Sequence, residues 1–293
     1  AVLKRFKTTI LLCAAILLSG LATHSVIADD SLQGVLEETR QPGRSRPSSS
    51  GSGHHHRGGH QHHHDDEDGF FAHVFADIFG PPILFTITSP WWGPAAAIGD
   101  EYEDEADFLT YPYEFERSGL LVIESAPPSD FDSWSMRVST EYSTNFSDLH
   151  RIGERIQLDT SSRFGFDAEF SEWFEETSLG TDNLLTGDAN LVFRFAQSEN
   201  MEWHTGLGMN WLDSPDQGEV GFNFTYGVRY FPTQPVILET TIDWGRLGDT
   251  SLFHLHSSAG VNYRNFEVFT GYDYMRIGHQ DFHGPLIGGR LWF

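Results

Sequence analysis

Apolar and polar residues alternate with a period of two from Trp134 to the end of the chain. Trp134, Met136, Val138 and Tyr142 share one parity, and Ser135, Arg137, Ser139 and Glu141 share the other. The contrast recurs at Trp203, Leu207, Met209 and Trp211 against Glu202, His204 and Asn210. It recurs again at Val220, Phe222, Phe224 and Val228 against Asn223, Thr225 and Arg229. Period two is the side-chain repeat of a strand whose two faces meet different surroundings. The pattern predicts strands at 134–146, 152–160, 163–175, 188–197, 201–212, 219–231, 236–245, 252–261, 266–276 and 284–293.

A soluble antiparallel sandwich alternates too, so the content of each face decides between the two. The apolar face is rich in Trp, Tyr and Phe near strand ends, as interfacial girdles require. The opposite face carries full charges and glycines, which suits a packed polar lumen. Links after alternate strands are short, as at Ser161-Ser162 and Pro232-Thr233-Gln234-Pro235, whereas 176–187, 246–251 and 277–283 read as longer loops. The fold class that follows is all-β: an antiparallel transmembrane β-barrel of about ten strands. Eight or twelve strands stay open, because Thr160, Ser162 and Phe164 keep one parity across the turn at Ser161-Ser162. If 152–175 is a single strand, Leu120 to Glu124 can supply the missing one.

Upstream the pattern differs. Lys4, Arg5 and Lys7 precede an uncharged run with an apolar centre at Ile10 to Leu18 and a small-residue exit at Ala28, the layout of a secretory signal peptide over 1–28. An uncleaved membrane anchor is the alternative, but Gly20 and the polar Thr23, His24 and Ser25 leave the apolar core short. Residues 29–69 are Ser-, Gly-, Arg- and His-rich and end in Asp65-Asp66-Glu67-Asp68, a composition expected to form a disordered N-terminal extension. In 70–117, Phe70, Phe71, Val74, Phe75, Ile78 and Phe79 recur at helical spacing, and Pro90-Trp91-Trp92-Gly93-Pro94 reads as an aromatic turn. This zone is expected to be a short helix and an extended connector, with the helix either interfacial or packed on a barrel end. The barrel is expected to occupy 118–293.

Charge and cysteine content narrow the partners. The net charge is −24, and the expected leader holds three of the basic residues together with the only cysteine, Cys13. Cleavage would therefore leave a more acidic chain with no disulfide or thiolate chemistry. Nucleic acid is excluded as a partner, since phosphate neutralisation needs clustered Lys and Arg.

The strand Gly284-Pro285-Leu286-Ile287-Gly288-Gly289-Arg290-Leu291-Trp292-Phe293 resembles the C-terminal targeting strand of bacterial outer-membrane β-barrel proteins. Phe293, Leu291 and Ile287 fit that pattern, and Gly289 departs from it by being small. Arg163 to Asp167, Gly187 to Gln197 and Phe269 to Asp273 are similar to stretches in uncharacterised exported barrels. The resemblance covers roughly 110–293 and implies a cell outer-membrane location, outer-membrane lipid as surroundings and the barrel-assembly machinery as a partner of 284–293. It implies no activity.

Several residue groups can carry chemistry. His54, His55, His56, His60, His62, His63 and His64 precede the acidic run, and imidazoles on a flexible chain can wrap Zn²⁺, Ni²⁺ or Cu²⁺ without a fixed geometry. His279, Asp281 and His283 alternate in a predicted loop and offer a second metal or acid–base set, although an ordinary polar loop explains them as well. Ser258, His256 and Asp243 fall near one another in the lumen, but no strained turn or oxyanion loop marks Ser258 as a nucleophile. Arg137, Arg155, Arg163, Arg194, Arg229 and Arg290 take the lumen parity, with Glu141, Asp159, Asp167, Glu169, Glu202, Glu219, Glu239, Asp243, Glu267 and Asp273. Buried charges persist only when paired, so a hydrogen-bonded polar core is expected there.

The expected function is a non-enzymatic outer-membrane barrel with a structural or ligand-binding role and metal capture by the histidine run. A small cation-preferring pore ranks second, and a membrane-embedded hydrolase or acyltransferase third.

Overall fold

The computed structural model describes residues 31–40, 88–100, 105–123, 131–177, 180–215 and 217–293. The barrel wall consists of β3 (Trp134–Thr144), β4 (Leu149–Thr160), β5 (Phe164–Thr177), β6 (Gly180–Ser198), β7 (Met201–Ser214), β8 (Gln217–Thr233), β9 (Val236–Leu247), β10 (Thr250–Tyr263), β11 (Phe266–Ile277) and β12 (Gln280–Trp292). Each strand pairs antiparallel with its neighbours in sequence, and β12 closes on β3 through Leu291↔Val138 and Ile287↔Tyr142. Ten strands in an up-and-down order therefore form a closed barrel, which leaves no sheet edge unpaired.

The turns after β4, β6, β8 and β10, the start of β3 and Phe293 share one end, called here the terminal end. The turns after β3, β5, β7, β9 and β11 share the other, the far end. The turn after β4 explains the parity puzzle at Ser161-Ser162. Three residues connect the strands, Arg163 N donates to Thr160 O at 3.1 Å, and Arg163 takes a left-handed φ of 68°. A three-residue loop closing on an αL residue returns the chain without switching parity.

The longer loops expected at 176–187, 246–251 and 277–283 are instead strand. Glu175↔Asp182, Leu247↔Thr250 and Ile277↔Gln280 continue the ladders to tight turns, with Gly248 and Gly278 at φ of 55° and 61°. Polar composition suggested loops there, yet alternation persists through it: Leu184 is buried inside while Leu185 is exposed outside.

Inward positions fall into three layers. Both ends of the lumen are apolar and the middle is charged. Glycine makes room for the large charged groups: a Cβ on Gly260 would lie 2.0 Å from Glu267 Oε1. Outward positions carry Ile152, Ile156, Leu158, Phe166, Leu191, Leu207, Phe222, Val220, Ile287 and Leu291, all exposed. Glu154 interrupts this apolar face between Ile152 and Ile156. No helix among the described residues is long and apolar enough to cross a membrane.

The segments before the wall complete the body. Within the stretch expected to be a disordered tail, Ser31–Arg40 forms a helix, α1, and the rest of 41–69 lies outside the described residues. The helical spacing at Phe70 to Phe79 also lies outside them. The residues read as an aromatic turn are helical instead, within α2 (88–98). Pro94 has no N–H to give the Pro90 carbonyl one turn earlier. Tyr226 Oη, on the outer wall, donates to that carbonyl at 2.7 Å. The helix thereby keeps its proline at the cost of one ladder bond and docks on the wall through that vacancy. Leu120 to Glu124 adds no strand to the barrel: β1 (Asp107–Phe108) and β2 (Leu121–Val122) pair with each other in a separate two-stranded sheet.

Candidate functional site

The lumen is where the chain concentrates its chemistry. Toward the terminal end, Arg137 Nη1 donates to Glu239 Oε2 at 3.0 Å, and its Nη2 bonds the other oxygen. Arg290 reaches Glu239 at 2.7 Å and Glu267 at 3.1 Å. Arg229 bonds Glu202 and donates to Gln157 Oε1 at 2.9 Å. Arg137 and Arg229 lie on the ring of Trp292, whose Nε1 donates to Glu267.

Toward the far end, Arg151 gathers Glu141, Glu169 and Asp273, with Ser171 Oγ accepting at 2.8 Å. Arg155 Nε donates to Asp167 at 2.8 Å. His254 Nε2 lies 2.8 Å from Asp273, and His256 Nε2 lies 3.0 Å from Glu141. Forked guanidiniums on carboxylates are the geometry that makes buried charge tolerable.

This network matches the charged core expected from alternation, with four differences. Arg151, its best-connected member, escaped notice because β4 starts at Leu149, three residues before the predicted start. Asp188 also faces inward, beside Glu169 in register. Arg163 leaves the lumen for the β4–β5 turn and clamps Asp100, just past α2, at 2.7 Å through both terminal nitrogens. Glu219 stands at the far rim beside Gly248.

Both mouths are closed by chain outside the wall. At the far end, Leu32 and Val35 of α1 are buried among Leu149, Trp173, Leu184, Leu252 and Phe282. Glu175 caps the helix, accepting from the backbone nitrogens of Ser31 at 3.1 Å and Leu32 at 2.9 Å, which places a carboxylate on the positive end of the dipole. Glu38 accepts from the His279 backbone at 2.8 Å, and Gln217 Nε2 donates to Leu36 O at 3.1 Å. At the terminal end, Phe108, Leu109, Tyr113 and Leu121 pack on Phe231, Ile237 and Trp292. Asn262 Nδ2 donates to Pro112 O at 3.1 Å, and Tyr113 Oη bonds the Val236 carbonyl.

The far-end plug makes a direct prediction. Val35→Asp sets a charge against an apolar ring and forfeits the roughly 1.5–3 kcal/mol of burying that valine. Residues 31–40 are then expected to become open to limited proteolysis, while the refolded barrel keeps its β-sheet circular dichroism. Protection equal to wild type would mean that α1 is not held by this contact.

The sequence-predicted site residues are distributed as follows. His279 Nδ1 lies 3.2 Å from Glu38, Asp281 is held by Arg276 and by Tyr274 at 2.7 Å, and His283 Nδ1 lies 2.8 Å from Tyr272. Each therefore has its own partner on the outer surface. No three His, Cys, Asp or Glu side chains converge on a metal position among the described residues. His54, His55, His56, His60, His62, His63 and His64 lie outside the described residues. His256 turns to Glu141, and Asp243 stands in register with His254, so Ser258, His256 and Asp243 are not aligned as a relay.

The α1 plug was the feature least visible beforehand. Its signal was Leu32, Val35 and Leu36 at helical spacing inside a polar stretch.

No family model matches the chain, and no curated protein matches it in sequence. Among solved structures it is similar to CdiB from Acinetobacter baumannii, at 10% identity and a TM-score of 0.23, over 65% of this chain and 65% of that one. The match thus spans just under two thirds of that protein's length.

Proposed function

We propose that this chain is a transmembrane β-barrel of the outer-membrane type that works as a closed structural or partner-binding body. The observation that carries this reading is the filled lumen, with ion pairs across its middle and an apolar plug in each mouth. Two voids among the charged groups measure about 10 Å³ each, room for about one water apiece. Small barrels with side chains packed across the axis conduct poorly. The outward apolar band supports residence in lipid, since such a surface in water favours aggregation.

A cation-preferring pore draws support from the excess of inward carboxylates, yet it needs a continuous wet path that the plugs and ion pairs occupy. A hydrolase or acyltransferase needs an aligned nucleophile and base, and the lumen histidines are engaged by Glu141 and Asp273. Partner contacts on this reading fall to the outer wall, the turns and the sequence preceding α2. There the histidine run supplies ligands for Zn²⁺, Ni²⁺ or Cu²⁺. The barrel-assembly machinery is the expected partner of 284–293.

Planar-bilayer recording of the refolded full-length chain tests the closed state. No stable single-channel steps are expected. Discrete cation-selective steps that diminish in Glu141→Gln would replace this reading with the pore.

A further inference from the structure

The inward carboxylates are not all alike. Glu141, Asp159, Asp167, Glu169, Glu202, Glu239, Glu267 and Asp273 each lie within ion-pair reach of an arginine. Asp188 and Asp243 have no such partner among the described residues, so two carboxyl groups in the core lack a cationic side chain within ion-pair distance. Leaving buried charge uncompensated is strongly unfavourable.

The same two residues line one of the 10 Å³ voids, together with Glu169, Asn210, Asn223 and His254. An amide relay ties them. Asn190 Nδ2 donates to Asp188 at 2.6 Å, and Asn223 Nδ2 donates both to Asn190 Oδ1 at 3.1 Å and to Asp243 at 3.2 Å. Asn210 spends its amide nitrogen on Phe222 O at 3.3 Å. With the nitrogens committed, the Oδ1 atoms of Asn210 and Asn223 are buried without any partner, on residues 2% and 0% exposed. Orphaned buried acceptors are rare and call for a donor or a cation. His254, opposite Asp243 in register, gives its Nε2 to Asp273, and Arg155 gives its Nε to Asp167.

We propose that this void holds one hard divalent cation, of which calcium is the type, bound by the Asp188 and Asp243 carboxylates and the Asn210 and Asn223 amide oxygens. The donor set is all oxygen, which suits calcium or magnesium and disfavours the thiolate- and imidazole-seeking metals. Two carboxylates match a double charge, and the void has the size of a single ion or water. Flexible coordination favours calcium over magnesium, which demands a near-ideal octahedron. Because both mouths are plugged, the ion enters during folding and then exchanges slowly.

The test refolds the full chain into detergent in calcium or in chelator, desalts it and measures bound calcium and the thermal midpoint. The expected result is one tightly held calcium per chain and a higher midpoint for protein folded in calcium. Both are lost in the double variant Asp188→Asn with Asp243→Asn. That variant keeps the acidic run at Asp65 to Asp68, so calcium retained equally by it and by wild type would overturn the proposal. So would a wild-type midpoint indifferent to calcium, the outcome expected if the two carboxyls are protonated or a water fills the void. A second readout needs no charge variant. Terbium folded into the wild type should luminesce on tryptophan excitation through Trp211, which borders the void, and Trp173, whose Nε1 donates to Thr186 of its lining at 2.9 Å, and lose most of that emission when both are replaced by phenylalanine. Undiminished emission would place the ion elsewhere and reject the site.

Discussion

Replacing Arg151 with methionine is expected to lower the unfolding free energy by about 3–5 kcal/mol, the cost of leaving buried charge without its partner. Arg151 is fully buried and holds three carboxylates, Glu141, Glu169 and Asp273. Methionine keeps much of the volume and stays against Trp173, whose ring the guanidinium now covers at 5.5 Å. The loss is therefore electrostatic. Equilibrium urea unfolding in vesicles measures it. Adding Glu169→Gln to the variant should recover part of the loss by removing one orphaned charge, whereas recovery from a distant acid such as Glu176→Gln is not expected. A variant as stable as wild type would show that the three carboxylates do not depend on Arg151.

The second large effect concerns the outer wall. Leu207→Arg is expected to cost about 2–4 kcal/mol in a bilayer, the penalty of a cation near the midplane. Leu207 is 58% exposed and sits at the middle of β7, paired on both sides with Leu191 and Phe224. Leu238 is also outward, but it lies two residues from the start of β9, so Leu238→Arg should cost much less. Glu154→Leu runs the other way and should stabilise, because it completes the apolar face between Ile152 and Ile156. Folding titrations of the three variants in vesicles give the ranking. Equal tolerance of arginine at Leu207 and Leu238 would exclude lipid contact at this wall.

The wall was legible because period-two alternation is a local property, and each strand announces its own faces. Register and closure followed from it once the turns were tight. Where alternation crossed polar residues, as from Gly180 to Thr186, composition suggested a loop although Leu184 and Leu185 still took opposite sides. Short-range pattern reading failed where the stabilising partner is distant in sequence. α1 is held by side chains from β4, β5, β6, β10 and β12, none of which a window around Ser31 contains. α2 carries two prolines, which argue for a turn until a tyrosine from β8 satisfies the carbonyl that Pro94 leaves free. The charged core was legible as a set and not as pairs. Parity says that Arg155 and Asp167 face inward, whereas which carboxylate meets which guanidinium depends on strands across the lumen.

The far-end plug has a consequence for sidedness. A barrel with an even number of strands begins and ends at the same end, as Trp134 and Phe293 do here. α1 sits in the opposite mouth, with Glu38 on the β11–β12 turn and Glu175 at the rim of β5. On the proposed membrane-spanning reading, one polypeptide presents α1 to one side and Phe293 to the other. A ligand that recognised α1 and a protein that gripped Phe293 would meet the same molecule without ever sharing a solvent.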